Sequence, residues 1–222
     1  MNTINLTKNE TINLTKKQDE TITLTKKPNS QRSNTIGLGW DAKSQSQPQV
    51  KKTGFFGGLF GGGQSYTPSS HKFDLDASLI LCRNGKFVDR NDLVYFGNLN
   101  HKSGAVNHNG DNLTGDGEGD DEQITIKFAM LPEDFDKIVV FVNIFDAASR
   151  GQHFGQVQNA FVRIVDDASG VEMCRYDLTG NYSGCTAMIF GEFNKVNGEW
   201  LFTAIGEGTR DGDIDSIVRR YR

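Results

Sequence analysis

From about Phe73 to the C-terminus the chain is a succession of short apolar runs, none of which lengthens into a helical pattern. The runs cover residues 77–82, 93–96, 123–128, 138–145, 160–165, 171–178, 186–191 and 199–205. They are rich in β-branched and aromatic residues, and Gly, Asn and Asp clusters separate them, which is the signature of strands joined by turns. Parallel strands need long crossovers, usually helical, and no such segments intervene. The prediction is an all-β protein, an antiparallel two-sheet β-sandwich. One short helix is expected at the C-terminus. Ile214, Ile217, Val218 and Tyr221 lie on one helical face, Asp213 is placed to cap it, and arginines near its end suit the helix dipole.

At 222 residues the chain is longer than one domain of about 150 residues and too short for two. One core with appendages fits. The first appendage is a repeat: Thr3-Ile4-Asn5-Leu6-Thr7-Lys8, Thr11-Ile12-Asn13-Leu14-Thr15-Lys16 and Thr21-Ile22-Thr23-Leu24-Thr25-Lys26 are versions of one strand-like unit. One copy is expected as an edge strand and the others as spare copies, with residues 1–20 extra to a sandwich domain over 21–222. The second appendage is an insertion at about 43–70, containing Lys51-Lys52-Thr53-Gly54-Phe55-Phe56-Gly57-Gly58-Leu59-Phe60. It reads as a glycine-rich loop whose aromatics cover the core, with docking on a membrane or partner through Phe55, Phe56, Leu59 and Phe60 as the alternative.

No apolar run approaches 18 residues and the first residues lack a hydrophobic signal core, so neither a membrane span nor a secretory signal is expected. Cys82, Cys174 and Cys185 are scattered, without Cys-x-x-Cys spacing. They read as buried, reduced thiols of a cytoplasmic protein. The formal charge of −4 conceals an asymmetry. Residues 1–52 hold nine basic against four acidic side chains, and residues 53–222 hold 15 against 24. An acidic domain of this kind argues against a specific nucleic-acid partner.

Six of those carboxylates lie between Asp111 and Glu122, in Gly110-Asp111-Asn112-Leu113-Thr114-Gly115-Asp116-Gly117-Glu118-Gly119-Asp120-Asp121-Glu122. Like charges held this close repel one another. Glycines let the backbone turn and offer carbonyls, and carboxylates with carbonyls are the oxygen-rich surroundings that Ca²⁺ requires. Mg²⁺ prefers a tighter octahedron, and zinc would need Cys or paired His. The loop has the twelve residues of an EF-hand, but Leu113 and Gly115 stand at ligand positions, Asp116 replaces the turn glycine, and the flanks are strand-like. A phosphate cradle fails on spacing and charge. The alternative to a cation site is a solvated acidic hairpin. Asp74 and Asp76, on one face of a strand start, and Asp146, at the end of the most apolar strand, are further candidates or else ordinary strand-end residues.

Taken together, these segments resemble the TerD family of tellurium-resistance and stress-response proteins. The resemblance rests on Ile36-Gly37-Leu38-Gly39-Trp40-Asp41, Phe73-Asp74-Leu75-Asp76-Ala77-Ser78, the acidic loop, Phe154-Gly155-Gln156-Val157 with Asn159-Ala160-Phe161, and Thr186-Ala187-Met188. It covers about residues 20–222. The Gly/Phe insertion looks like the TerZ subgroup, whereas Ile144-Phe145-Asp146-Ala147 with Arg150 and Phe154 looks more like TerD proper. The resemblance implies a sandwich holding two Ca²⁺ ions. By motif position it implies Asp74, Asp76, Asp111, Asn112, Asp120, Asp121 and Glu122 as ligands, carbonyls from Gly115 and Gly117, and Asp41 and Asp146 as outer members. It also implies a role in resistance to tellurite, phage and chemical stress, with no firm catalytic activity.

The four histidines, His71, His101, His108 and His153, form no metal-ligand spacing and read as surface or turn residues. No nucleophile elbow is present. The expected protein is a non-enzymatic, cytoplasmic calcium-binding module. Its calcium-ordered surface would meet other stress-resistance proteins or the inner membrane face. The alternatives are a metal-dependent enzyme acting on phosphate-type substrates and a calcium-dependent membrane adaptor. Two Ca²⁺ ions would bring the formal charge from −4 to zero.

Overall fold

A computed structural model describes residues 2–4, 12–14, 22–24, 33–41, 72–115, 119–179 and 182–222. The insertion at 43–70, Gly117 and His71 lie outside the described residues.

The strands run in chain order as β1 (Asn2–Ile4), β2 (Ile12–Leu14), β3 (Ile22–Leu24), β4 (Ser33–Asp41), β5 (Leu75–Cys82), β6 (Leu93–Val94), β7 (Val106–His108), β8 (Glu122–Lys127) and β9 (Lys137–Ile144). A short helix α1 (Ala147–Arg150) follows, then β10 (Gln158–Asp166), β11 (Val171–Asp177), β12 (Ala187–Val196), β13 (Glu199–Thr209) and helix α2 (Ile214–Val218). One sheet has the order β11-β10-β4-β8-β7 and the other β13-β12-β9-β5-β6, each antiparallel throughout. This is the two-sheet sandwich that the run pattern predicts. All eight expected runs carry strands. Two more strands, β4 and β7, were not among those runs: the glycines of β4 dilute its alternation, and β7 has only three residues.

Each repeat copy contributes a three-residue strand, and these pair in parallel. β2 extends the first sheet beside β11, while β1 pairs with β3. One copy therefore is an edge strand, as expected, but in an orientation that departs from the antiparallel pattern. β1 and β3 are separated by residues 5–21, a length sufficient for the crossover that a parallel pair requires.

The main core lies between the sheets, with Leu75, Leu79, Leu81, Val140, Val142, Ile124, Ile126 and Val162 buried in it. A second core lies on the outer face of the β9 sheet, where Ile80, Cys82, Phe87, Val139, Phe141 and Ile189 meet Ile217 and Val218 of α2. Burial on both faces explains why β5 and β9 read as continuous apolar runs. Asp213 caps α2, its Oδ1 accepting from Ser216 N, as expected from its position. Cys82 and Cys174 are buried and Cys185 is half-buried, and none of the three is in a disulfide among the described residues.

Candidate metal centre

The acidic residues come from the start of β5 and from the loop between β7 and β8, which meet at one end of the sandwich. Asp74 precedes β5 and its carbonyl accepts from Phe145 N at 2.8 Å, tying it to the end of β9. Asp76 lies within β5, directly opposite Asn143 of β9. Asp111 belongs to the loop between β7 and β8.

The fold brings Asp74, Asp76 and Asp111 together, with carboxylate oxygens lying within 4.8 Å of one another. Asp74 and Asp76 are buried and Asp111 is exposed. One oxygen of Asp74, Oδ1, is buried without a hydrogen-bond partner among the described residues, and Oδ2 has Arg150 Nη1 at 3.9 Å. Asn143 Nδ2 donates to Asp76 Oδ2 at 3.1 Å. Burial, followed by repulsion from Asp111, raises the Asp74 pKa to about 6 against a reference of 3.8. Burial, then repulsion from Glu122, Asp74 and Asp111, raises that of Asp76 to about 8. An unsatisfied buried oxygen within a group of mutually repelling carboxylates fits a hard divalent cation, which needs oxygen donors only.

The other expected ligands are engaged in holding the loop. Glu122 begins β8; its Oε2 accepts from Ala77 N at 2.8 Å and its Oε1 from Asn112 N at 3.3 Å. His108 Nε2 stands 3.5 Å from Glu122 Oε2. Burial raises the Glu122 pKa, partly countered by His108 and the backbone donors. Asn112 forms a local turn, its Oδ1 accepting from Thr114 N at 3.0 Å and Gly115 N at 3.2 Å, while Nδ2 donates to Asp121 Oδ1. Asp121 Oδ2 accepts from Trp40 N at 2.8 Å. Gly115 has φ +60°, and a side chain there would strike the Trp40 indole. Asp120 pairs with Arg163 of β10. Asp41 accepts from Asn159 Nδ2 at 2.7 Å, and Asp146 is exposed in a left-handed turn bonded to Ser149.

Two histidines correct the surface reading. His101 and His108 are 2% and 4% exposed. His101 is held between Ser103 Oγ at 2.7 Å and Asp92 Oδ1 at 3.1 Å, and His108 sits against Glu122. For His108 the period-2 alternation in β7 was the available signal, Val106 and His108 being buried and Asn107 between them half-buried; His101 lies outside that strand and carries no such pattern.

The family model for the TerD domain matches residues 3–221. The chain belongs to the TerD family. It is 47% identical over 186 residues to stress response protein SCP2 of Bacillus subtilis (strain 168), covering 84% of this chain and 87% of that protein. It is 41% identical over 201 residues to tellurium resistance protein TerD of Serratia marcescens, covering 90% and 92%. Among solved structures, the unknown function protein SAV2460 superposes with a TM-score of 0.64 at 22% identity over 85% of this chain and 95% of that one, which supports the fold. Within this TerD domain no helix among the described residues is long and apolar enough to cross a membrane. In this family member the motif Ile36–Asp41 has a structural part. It supplies the β4 register and the Trp40 contacts on which the acidic loop rests.

Proposed function

We propose that the chain is a non-enzymatic Ca²⁺-binding module of a tellurite and chemical-stress resistance system. The supporting observation is the convergence of Asp74, Asp76 and Asp111, with the unpartnered Asp74 Oδ1 among them. Bound Ca²⁺ would supply positive charge that removes the mutual repulsion of these carboxylates. This chain's part is to hold Asp74 and Asp76 on the rigid start of β5 and to bring Asp111 to them on a loop. Asp121 and Glu122 fix that loop through Trp40, Asn112 and Ala77. The ordered loop would then form the surface that meets a partner protein or the inner membrane face.

Calorimetric titration of Ca²⁺ into the full chain tests the reading and counts the ions, two being the number the family resemblance implies. Expected is a heat of binding in the wild type that Asp76→Asn removes. No heat in a folded wild type would overturn the proposal. A heat that survives Asp76→Asn unchanged would move the site elsewhere.

A further inference from the structure

A cavity of about 500 Å³ opens on the outer face of the β9 sheet, between its end, the turn after β6 and the start of α2. This volume is within the range of small-molecule sites. Three rings wall it: Tyr95 and Phe96 meet edge-on with centroids 5.1 Å apart, and Phe96 and Phe145 likewise at 5.7 Å. Asp146 and Asp213 add carboxylates, and Arg90 at the wall is paired with Asp215. Asn143, 5% exposed, also lines the cavity, its amide nitrogen donating to Asp76 Oδ2 at 3.1 Å.

The chemistry of these walls selects a ligand class. Ring faces attract cations, and the protein already uses them so: the Arg90 and Arg150 guanidinium groups lie over Tyr95 and Phe145 at 5.9 and 5.2 Å. The charges lining the cavity are three carboxylates against one guanidinium, with Arg150 approaching Asp146 to 3.8 Å from outside. Anions are therefore disfavoured. We infer that this cavity binds a small alkylammonium ion, with the cationic group among Tyr95, Phe96 and Phe145, and Asp146 and Asp213 supplying the countercharge. The inference does not depend on calcium.

The probe is putrescine, titrated by calorimetry into the full chain in EDTA, with 1,4-butanediol as its uncharged counterpart. Saturable putrescine binding is expected, with the diol binding at least about tenfold more weakly, since the uncharged molecule forfeits both the ring and carboxylate attraction. Phe145→Ala, at an exposed position, and Asp213→Asn, which keeps a capping side chain, should each weaken putrescine about fivefold or more. Asp111→Asn should leave it unchanged. Equal binding of the diol, or loss of binding in Asp111→Asn but not in Phe145→Ala, would overturn the proposal, the latter by placing the amine at the acidic cluster. Nα-acetyl-lysine amide binding more tightly than putrescine would overturn the free-amine assignment in favour of a protein lysine.

Discussion

Arg163 grips Asp120 with two bonds, Nε to Oδ1 at 2.8 Å and Nη2 to Oδ2 at 3.0 Å. The Asp120 side chain is only 2% exposed, and Gln123 Nε2 donates a third bond at 3.1 Å. A carboxylate so satisfied serves to anchor the acidic loop across β4 onto β10, whereas the carboxylates of Asp74 and Asp76 have few donors.

The pair separates anchoring from metal binding. Asp120→Asn should destabilise the fold by about 2–4 kcal/mol, because among the described residues Arg163 then keeps only Glu172 as a charged partner. Ca²⁺ binding should weaken without being abolished. Chemical denaturation with and without Ca²⁺ checks it; a variant as stable as the wild type but unable to bind Ca²⁺ would instead make Asp120 a ligand.

The space for that pair depends on Gly37. A side chain built at Gly37 would occupy the position of the Asp120 carboxylate. Gly37→Val should therefore cost about 1–3 kcal/mol through overpacking and displacement of Asp120. A thermal melt no lower than that of the wild type would contradict this.

The raised carboxyl groups set a pH dependence. Asp74 and Asp76 titrate near 6 and 8 in the fold against 3.8 as reference. Between about pH 4 and pH 8 the folded state thus holds more protons than the unfolded chain, and these two groups make metal-free stability fall as pH rises. Asp76→Asn removes one charge from the group. In EDTA at about pH 8 it should melt roughly 2–4 °C above the wild type, with the difference shrinking toward about pH 5. Ca²⁺ binding should strengthen with pH and release protons, which calorimetry in buffers of different ionisation enthalpy would count. A pH-independent affinity would argue that neither group changes protonation on binding.

The outer core depends on the C-terminal helix. Ile217 is fully buried against the β9 sheet. Ile217→Ala should cost about 2–5 kcal/mol, comparable to a substitution in the main core. A cost near zero, read from urea midpoints, would show that α2 only rests on the sheet.

Much of this protein is determined by its sequence read alone. Short apolar runs with turn residues between them have few solutions other than stacked antiparallel sheets, and the spacing of Ile214, Ile217, Val218 and Tyr221 marks the helix with its Asp213 cap. Local periodicity carries that information because strands and helices are local. The acidic loop is equally legible as a place where charge accumulates. What each carboxylate does was decided by tertiary structure. Asp120 and Asp121 are adjacent in sequence, yet one meets Arg163 across β4 and the other meets the Trp40 amide. Asp74, Asp76 and Asp111, the last distant in the chain, come together because β5 and the β7–β8 loop meet at one end of the sandwich. Whether a carboxylate is free to hold a cation depends on how many donors reach it, and those donors lie on strands whose pairing no local pattern records.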